Sequence, residues 1–235
     1  MPLMFWTFVD AAAISEGRIR IDGPKGHHLA RVLRIRPGER GVAVSGGHEY
    51  NLEVVEVQGE CVVGRVLGQR PTLGEATPRL TLLQAILPNP DFDAVIEGGT
   101  AVGIRGFVAV QASRSIGRPA ASRRPRWQAI AQSAAEQSHR GEIPQVAGPM
   151  DLPAALDHAA GTRLLALEPT ASLPLAHAVD GSRAYTIAVG PEGGWTEDEL
   201  TALRARGALA VNLGARILRA RLAPIVAAAI LVQHR

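Results

Sequence analysis

The sequence predicts two folds in one chain: a compact β-barrel, then an α/β domain built on parallel strands. Its first seventy residues are short β-branched or alternating segments punctuated by glycine. Beyond residue 78 the apolar segments become uninterrupted, as strands buried on both faces require. Between them Pro71, Thr72, Gly74, Glu75, Ala76, Thr77 and Pro78 form a polar link. The expected domains are therefore 1–70 and 78–235.

In chain order, residues 17–21, 40–44, 50–57 and 60–67 read as strands, with turns at Gly38, Gly46, Gly47 and Gly59. Residues 28–35 form a brief helical candidate with Leu29, Val32 and Leu33 on one face. Many short strands and one helical turn suit a barrel. In the second domain, residues 80–86, 106–111, 164–167 and 185–189 are continuous apolar runs. Trp127, Ile130, Ala131, Ala134 and Ala135 recur at helical spacing, which predicts an amphipathic helix over 126–139. Thr196 and Glu199 spell a capping box, so a helix should cover 196–206 with Leu200 and Leu203 inward. The chain closes on a helix with Leu222, Ile225, Val226, Ala229 and Ile230 on one side.

Composition narrows the function classes. A hydrophobic fraction of 46% against 20% charged residues supports a real core. Residues 1–10 carry no basic stretch ahead of their apolar residues, and residues 223–232 are too short to span a bilayer. One cysteine, Cys61, excludes an internal disulfide and disfavours a zinc site. The expectation is a cytoplasmic protein with no membrane and no metal partner. The net charge is only +3, but arginines cluster. One group holds Arg18, Arg20, Lys25, Arg31, Arg34, Arg36 and Arg40, with only Asp22 and Glu39 against them; another, free of acids, holds Arg114, Arg118, Arg123, Arg124 and Arg126. Guanidinium groups bind phosphate bidentately, so nucleic acid is the partner they suit. Solvated basic faces are the plainer alternative.

Two glycine-bearing turns carry candidate chemistry. Gly190-Pro191-Glu192-Gly193-Gly194 follows the run at 185–189, where parallel sheets hold ligands. A tight strand-to-helix turn needs glycine anyway. No Gly-Lys-Ser/Thr follows, so it is no phosphate-cradling loop, nor is it a G-x-G-x-x-G fingerprint. Leu213-Gly214-Ala215-Arg216-Ile217-Leu218-Arg219 joins the apolar run at 209–213 to the last helix. Its two arginines are either solvated or part of a site shared with the first turn.

The stretches GPEGGWTEDEL and LGARILR, with HHLARVLRIRPGER, LLQAILP and RWQAIAQSAAEQSHRGEIPQV ahead of them, closely resemble the RsmE family of 16S ribosomal RNA uridine-N3 methyltransferases. The resemblance runs over nearly the whole chain. It implies a SPOUT-type trefoil-knot methyltransferase domain preceded by a small PUA-like β-barrel, S-adenosylmethionine as methyl donor, and a homodimer acting on 16S ribosomal RNA or the small subunit. Position by position it implies a donor pocket from Leu167, Glu168, Gly190, Pro191, Gly193, Gly194, Leu213, Gly214, Ile217 and Leu218. His28, Arg31, Arg34 and Arg36 match a segment that looks like an RNA contact, although His28 also suits a structural role. Arg114, Arg123 and Arg124 are further RNA-binding candidates. Glu136, Gln137 and Arg140 match the family's middle helix, where packing is as good a reading as substrate contact.

The chain also departs from that family. Ala220 and Arg221 stand where it usually has Thr-Glu, and Asn89 where it usually has lysine. Lys and Glu are usual near Gly98 and Ala101, and residues 89–103 look shortened. The usual acid is thus missing. Arg219, and with it Arg216, is the candidate for stabilising a uridine anion through its carbonyl oxygens. Two other readings stay open: a knotted methyltransferase with a different RNA target, and a non-catalytic RNA-binding relative. A Rossmann-type methyltransferase is disfavoured, because Leu87-Pro88-Asn89-Pro90 after the domain's first strand lacks its glycine-rich loop.

Overall fold

A computed structural model describes residues 5–117 and 121–233. Contacts divide the chain into two compact units. One runs to Glu75 and also takes in Glu136–Glu142; the other holds Ala76–Ala135 and the chain from Ile143.

The first unit is a sheet of six strands: β1 (Phe5–Phe8), β2 (Ile14–Ser15), β3 (Arg18–Ile21), β4 (Arg40–Ser45), β5 (His48–Gln58) and β6 (Cys61–Pro71). Their order is β1-β4-β5-β6-β3-β2, antiparallel except for the parallel pair β1 and β4. Phe5, Ile19, Ile21, Leu29, Leu52, Val54 and Val62 form its core. β1 was not foreseen, since four residues at a chain end carry too little alternation to register. Between β3 and β4 lie α1 (Gly23–His27) and a turn of π-helix, His28–Val32. The expected helical face is only partly right. Leu29 is buried, but Val32 and Leu33 are exposed, because a single turn turns one side chain inward.

The segment Glu136–Glu142 is stitched into this unit. Glu75 accepts hydrogen bonds from the buried Arg140 guanidinium at 2.5 Å and from the amides of Gly141 and Glu142. The Trp6 indole donates to the Arg140 carbonyl and its ring stacks on His139 at 4.7 Å. Glu136 accepts from Thr7 Oγ1 and the Phe8 amide. Packing is thus what Glu136 and Arg140 do here.

The second unit is a sheet of parallel strands in the order β12-β10-β11-β7-β8-β9. These are β7 (Arg79–Ala85), β8 (Ile104–Val110), β9 (Gln145–Met150), β10 (Arg163–Leu167), β11 (Ala184–Val189) and β12 (Leu209–Val211). Side chains alternate between two cores, as a pleated strand requires. Leu80, Leu82, Phe107, Leu165 and Ile187 face one side; Leu83, Val108, Leu164 and Ala166 face the other. The first face is covered by α2 (Asp91–Ala101), α3 (Arg124–Gln137) and α6 (Ala223–Gln233). The second is covered by α4 (Leu152–Leu156) and α5 (Glu197–Ala205). No helix among the described residues is long and apolar enough to cross a membrane.

The expected face of α6 needs correction. Ala223, Pro224, Ala227, Ala228 and Leu231 are buried, whereas Leu222 is exposed and Ile225, Val226, Ala229 and Ile230 are half-buried. The helix is apolar all round, so its periodicity has no phase to read. The close-packed sheet selects the narrow alanine side.

The chain is knotted at β12. Val211 presents its carbonyl to the Glu168 amide beside β10. On the opposite edge Asn212 donates its amide to the Leu173 carbonyl and accepts from the Leu175 amide. The chain at 211–212 is therefore flanked on both edges by the two ends of one loop. It enters from α5 on one face and leaves to α6 on the other. A chain that changes faces through its own loop is the trefoil crossing of the SPOUT-type fold, a rare exception to unthreaded topology.

Candidate active site

Both glycine turns lie at the carboxyl edge of the parallel sheet. Leu167 pairs with Val189 across β10 and β11, and with Val211 across β10 and β12. The first turn and the second loop therefore leave the sheet from neighbouring strands.

The first turn, 190–194, is rigidly held. Thr196 caps α5, with the reciprocal bonds of a capping box to Glu199. Glu199 also accepts the Ser113 amide at 2.7 Å. Burial alone would push the Glu199 carboxyl up. The hydrogen bonds from Thr196 and Ser113, backbone first, outweigh it and hold the group below the ordinary carboxylate value. Arg114 donates to the Gly193 carbonyl at 2.7 Å and to the Trp195 carbonyl. The glycines divide by cause. A Cβ on Gly190 would sit 3.3 Å from the buried Trp195 ring, and one on Gly193 would sit 3.3 Å from Arg114. Gly194 has φ +71° with open space around it, so it serves backbone conformation. The Arg114 contact does not register in sequence, because its partners lie about eighty residues away.

The second loop is open. A cavity of about 120 Å³ is lined by Leu167, Glu168, Leu213, Gly214, Arg216, Ile217 and Leu218, with Pro169, Val211, Asn212, Ala215 and Ala223 completing the wall. Of the expected donor set, Leu167, Glu168, Leu213, Gly214, Ile217 and Leu218 line it, while Gly190, Pro191, Gly193 and Gly194 do not. Asn212 shapes the loop: its side-chain amide donates to the Ala171 carbonyl and its carbonyl oxygen accepts the Gly214 amide. Gly214 has φ +94°, a conformation that favours glycine. Leu213 and Leu218 are anchored in the core, while Ile217 is 86% exposed. Of the two candidate catalytic arginines, Arg216 lines the cavity and Arg219 does not. Both are exposed and without an ion pair among the described residues. Arg221 does have a partner: it donates to Asp91 at the start of α2 at 2.9 Å.

The basic residues also sort themselves. His28, Arg31, Arg34 and Arg36 are exposed on the first unit, around the exposed Val32 and Leu33. In the second unit Arg126 is paired with Asp93 at 2.6 Å. Arg124 is exposed and Arg123 half-buried, both without an ion pair among the described residues. Arg118 lies outside the described residues. Among the described residues no cluster of His, Cys, Asp and Glu is built to hold a metal.

A parallel sheet whose chain threads its own loop, with a cavity at the crossing and a separate small β-unit at the amino end, defines the knotted RNA methyltransferase class. Residues 75–232 match the family model of an RNA methyltransferase domain, and residues 21–66 that of an RNA methyltransferase PUA domain. The chain is 36% identical to the ribosomal RNA small subunit methyltransferase E of Mycobacterium bovis, over 88% of this chain and 83% of that one. It is 31% identical to the Synechocystis protein of that name, over 92% and 73%. The crystal structure of the Neisseria gonorrhoeae protein of that name, bound to S-adenosyl methionine, superposes with a TM-score of 0.85 at 30% identity, over 96% and 95%. The chain belongs to the ribosomal RNA small subunit methyltransferase E family.

Proposed function

We propose that the protein transfers a methyl group from S-adenosylmethionine to N3 of a specific uridine in 16S ribosomal RNA. The observation that carries this reading is the cavity at the knot crossing, whose wall combines apolar side chains, a carboxylate and open backbone. These residues fit the donor: Leu213 and Leu218 offer apolar faces to an adenine, Glu168 offers acceptors, and Gly214 lets backbone approach a ligand. Leu167 and Ile217 complete this grip. Gly190, Pro191, Gly193 and Gly194 bound the reacting side from the next strand. When bound, the donor supplies a methyl group already activated by its positive sulfur.

What the chain supplies is alignment and charge. As the N3–carbon bond forms the carbon–sulfur bond breaks, and the N3 proton leaves to solvent. Arg216 stabilises the negative charge on the uracil carbonyl oxygens, with Arg219 assisting from further out. The cavity lining reverses the order of preference that the sequence suggested. Arg216→Ala should lower kcat by roughly 10²-fold. Unchanged turnover, read by mass spectrometry of 16S RNA after incubation with donor, would discard the role.

The domain at 1–70 then serves as the RNA anchor through His28, Arg31, Arg34 and Arg36, while Arg114, Arg123 and Arg124 steer RNA to the domain at 78–235. Each lost phosphate contact should flatten the salt dependence of binding by roughly one unit of slope. A homodimer is supported by the half-buried apolar face of α6, and sedimentation tests it. The protein works in the cytoplasm on ribosomal RNA or the small subunit, with no membrane and no metal. One observation favours a second reading, a knotted methyltransferase with a different RNA target: Arg221, where the family usually has an acid, is occupied by Asp91. Mapping the methylated nucleotide decides between them.

A further inference from the structure

Each of the four central strands of the parallel sheet opens on an arginine. Arg163 and Arg79 are the first residues of β10 and β7, Arg105 is the second of β8, and Arg183 immediately precedes β11. The same strands end, at the edge that carries the donor cavity, on Leu167, Ala85, Val110 and Val189. We propose that the amino edge of the sheet is a second contact surface for the RNA substrate, holding phosphates of a segment remote from the methylated base. The inference rests on the protein's acting on RNA, not on which base it modifies.

Three observations support it. The first is unspent positive charge. Arg79 and Arg183 are exposed and without an ion pair among the described residues, and they stand side by side: the Arg79 amide donates to the Arg183 carbonyl at 2.8 Å. Two free guanidiniums on adjacent strands suit phosphates, which each can bind bidentately. The acids beside them are taken. Asp180 accepts from Ser182 Oγ at 2.6 Å and the Tyr185 hydroxyl at 2.9 Å, and pairs with Arg163 at 3.4 Å. Asp157, just ahead of β10, pairs with Arg206 at 2.9 Å. The second observation is a cavity of about 490 Å³ at this edge, with Thr77, Pro78, Val179, Ser182 and Arg183 around a floor of Leu231 and Tyr185. Ligand sites start at roughly 300 Å³, so it has room for a nucleotide. Val179, Pro78 and Leu231 offer apolar contact to a ribose or base, Thr77 and Ser182 offer hydroxyls, and Arg183 stands at the wall for the phosphate.

The third observation is that the cavity is pre-formed. The Tyr185 ring is 1% exposed, and its hydroxyl accepts the amides of Asp180 at 3.1 Å and Ser182 at 3.2 Å. A ligand would therefore order little of the protein on binding. The seven residues of β7 put this edge about 20 Å from the donor cavity along the strand. Contacts here cannot touch the base being methylated. Their work is positioning, because phosphate contacts fix register and orientation without reading sequence.

The test compares two RNAs on the full chain, small-subunit RNA and a short hairpin cut around the mapped methylation site. Binding is measured against salt, with turnover, donor affinity and melting temperature alongside. Arg79→Ala combined with Arg183→Ala should lower the slope of log affinity on log salt by about 1.5 for the long RNA. It should raise the KM of that RNA about fivefold and leave kcat, donor affinity and melting temperature as in wild type. On the hairpin, which cannot reach the far edge, the double variant should match wild type. Arg183→Lys in place of Arg183→Ala should return about half of the lost slope, since it restores one of the two charges. Unchanged slope and KM on the long RNA overturn the proposal. An equal loss on the hairpin overturns it too, since the arginines would then act through the field of the whole protein. Sedimentation showing that the double variant has lost a wild-type dimer would assign the edge to a second copy of the chain instead. Uridine monophosphate binding that vanishes in the variant while RNA affinity stands would assign it to a free nucleotide. A wild type that binds donor but no RNA overturns the acting-on-RNA reading as well.

Discussion

The two bends at the sheet's carboxyl edge are built on opposite principles. The turn at 190–194 is over-determined: the capping box, the Ser113 amide, the Arg114 guanidinium and the buried Trp195 all constrain it. The loop at 213–219 rests on Leu213 and Leu218 against the core and on the bond from the Gly214 amide to Asn212, and leaves Arg216, Ile217 and Arg219 in solvent. The difference teaches where stability resides. The first bend is scaffold, whose glycines mostly make room for protein. The second leaves its side chains exposed around a cavity.

That contrast breaks or sharpens by mutation. Trp195→Ala empties a buried indole site and should cost about 3–5 kcal/mol, read as a large fall in melting temperature. Smaller is Glu199→Gln, at about 1–2 kcal/mol near neutral pH, because two backbone amides lose a charged acceptor. Its sign with pH follows from the lowered carboxyl: the folded value lies below the ordinary 4.5. The stabilisation is complete above 4.5 and disappears as pH falls through the folded value, so the variant's stability should converge on wild type in acid. Arg221→Ala removes a part-exposed ion pair and should cost at most about 1 kcal/mol. Ile217→Ala should leave stability within about 0.5 kcal/mol while weakening donor binding measured by calorimetry. If Ile217→Ala destabilised the fold as Trp195→Ala does, the two bends would not differ in kind.

Some of this was legible in advance because it is local. The capping box of Thr196 and Glu199 is three residues of backbone logic, and the structure reproduces it. The runs around Leu80, Phe107, Leu164 and Tyr185 are strands because only a sheet covered on both faces tolerates such continuity. The candidate site was half legible. Leu167, Glu168 and 213–218 do meet at one cavity, but the glycines at 190–194 line none of it. A glycine needed by Trp195 reads the same as one needed by a ligand.

By itself, then, the amino-acid order determined the parallel sheet, the caps, the glycine bends and their sequence in the chain, since each depends on neighbours a few residues away. Tertiary structure decided the rest. It selected the alanine side of an all-apolar α6, paired Arg221 with Asp91 and Arg114 with Gly193, and folded Glu136–Glu142 into the first unit. It also drew the chain through its own loop at Asn212. These outcomes join segments tens of residues apart, and close packing, not local backbone preference, chooses among such partners.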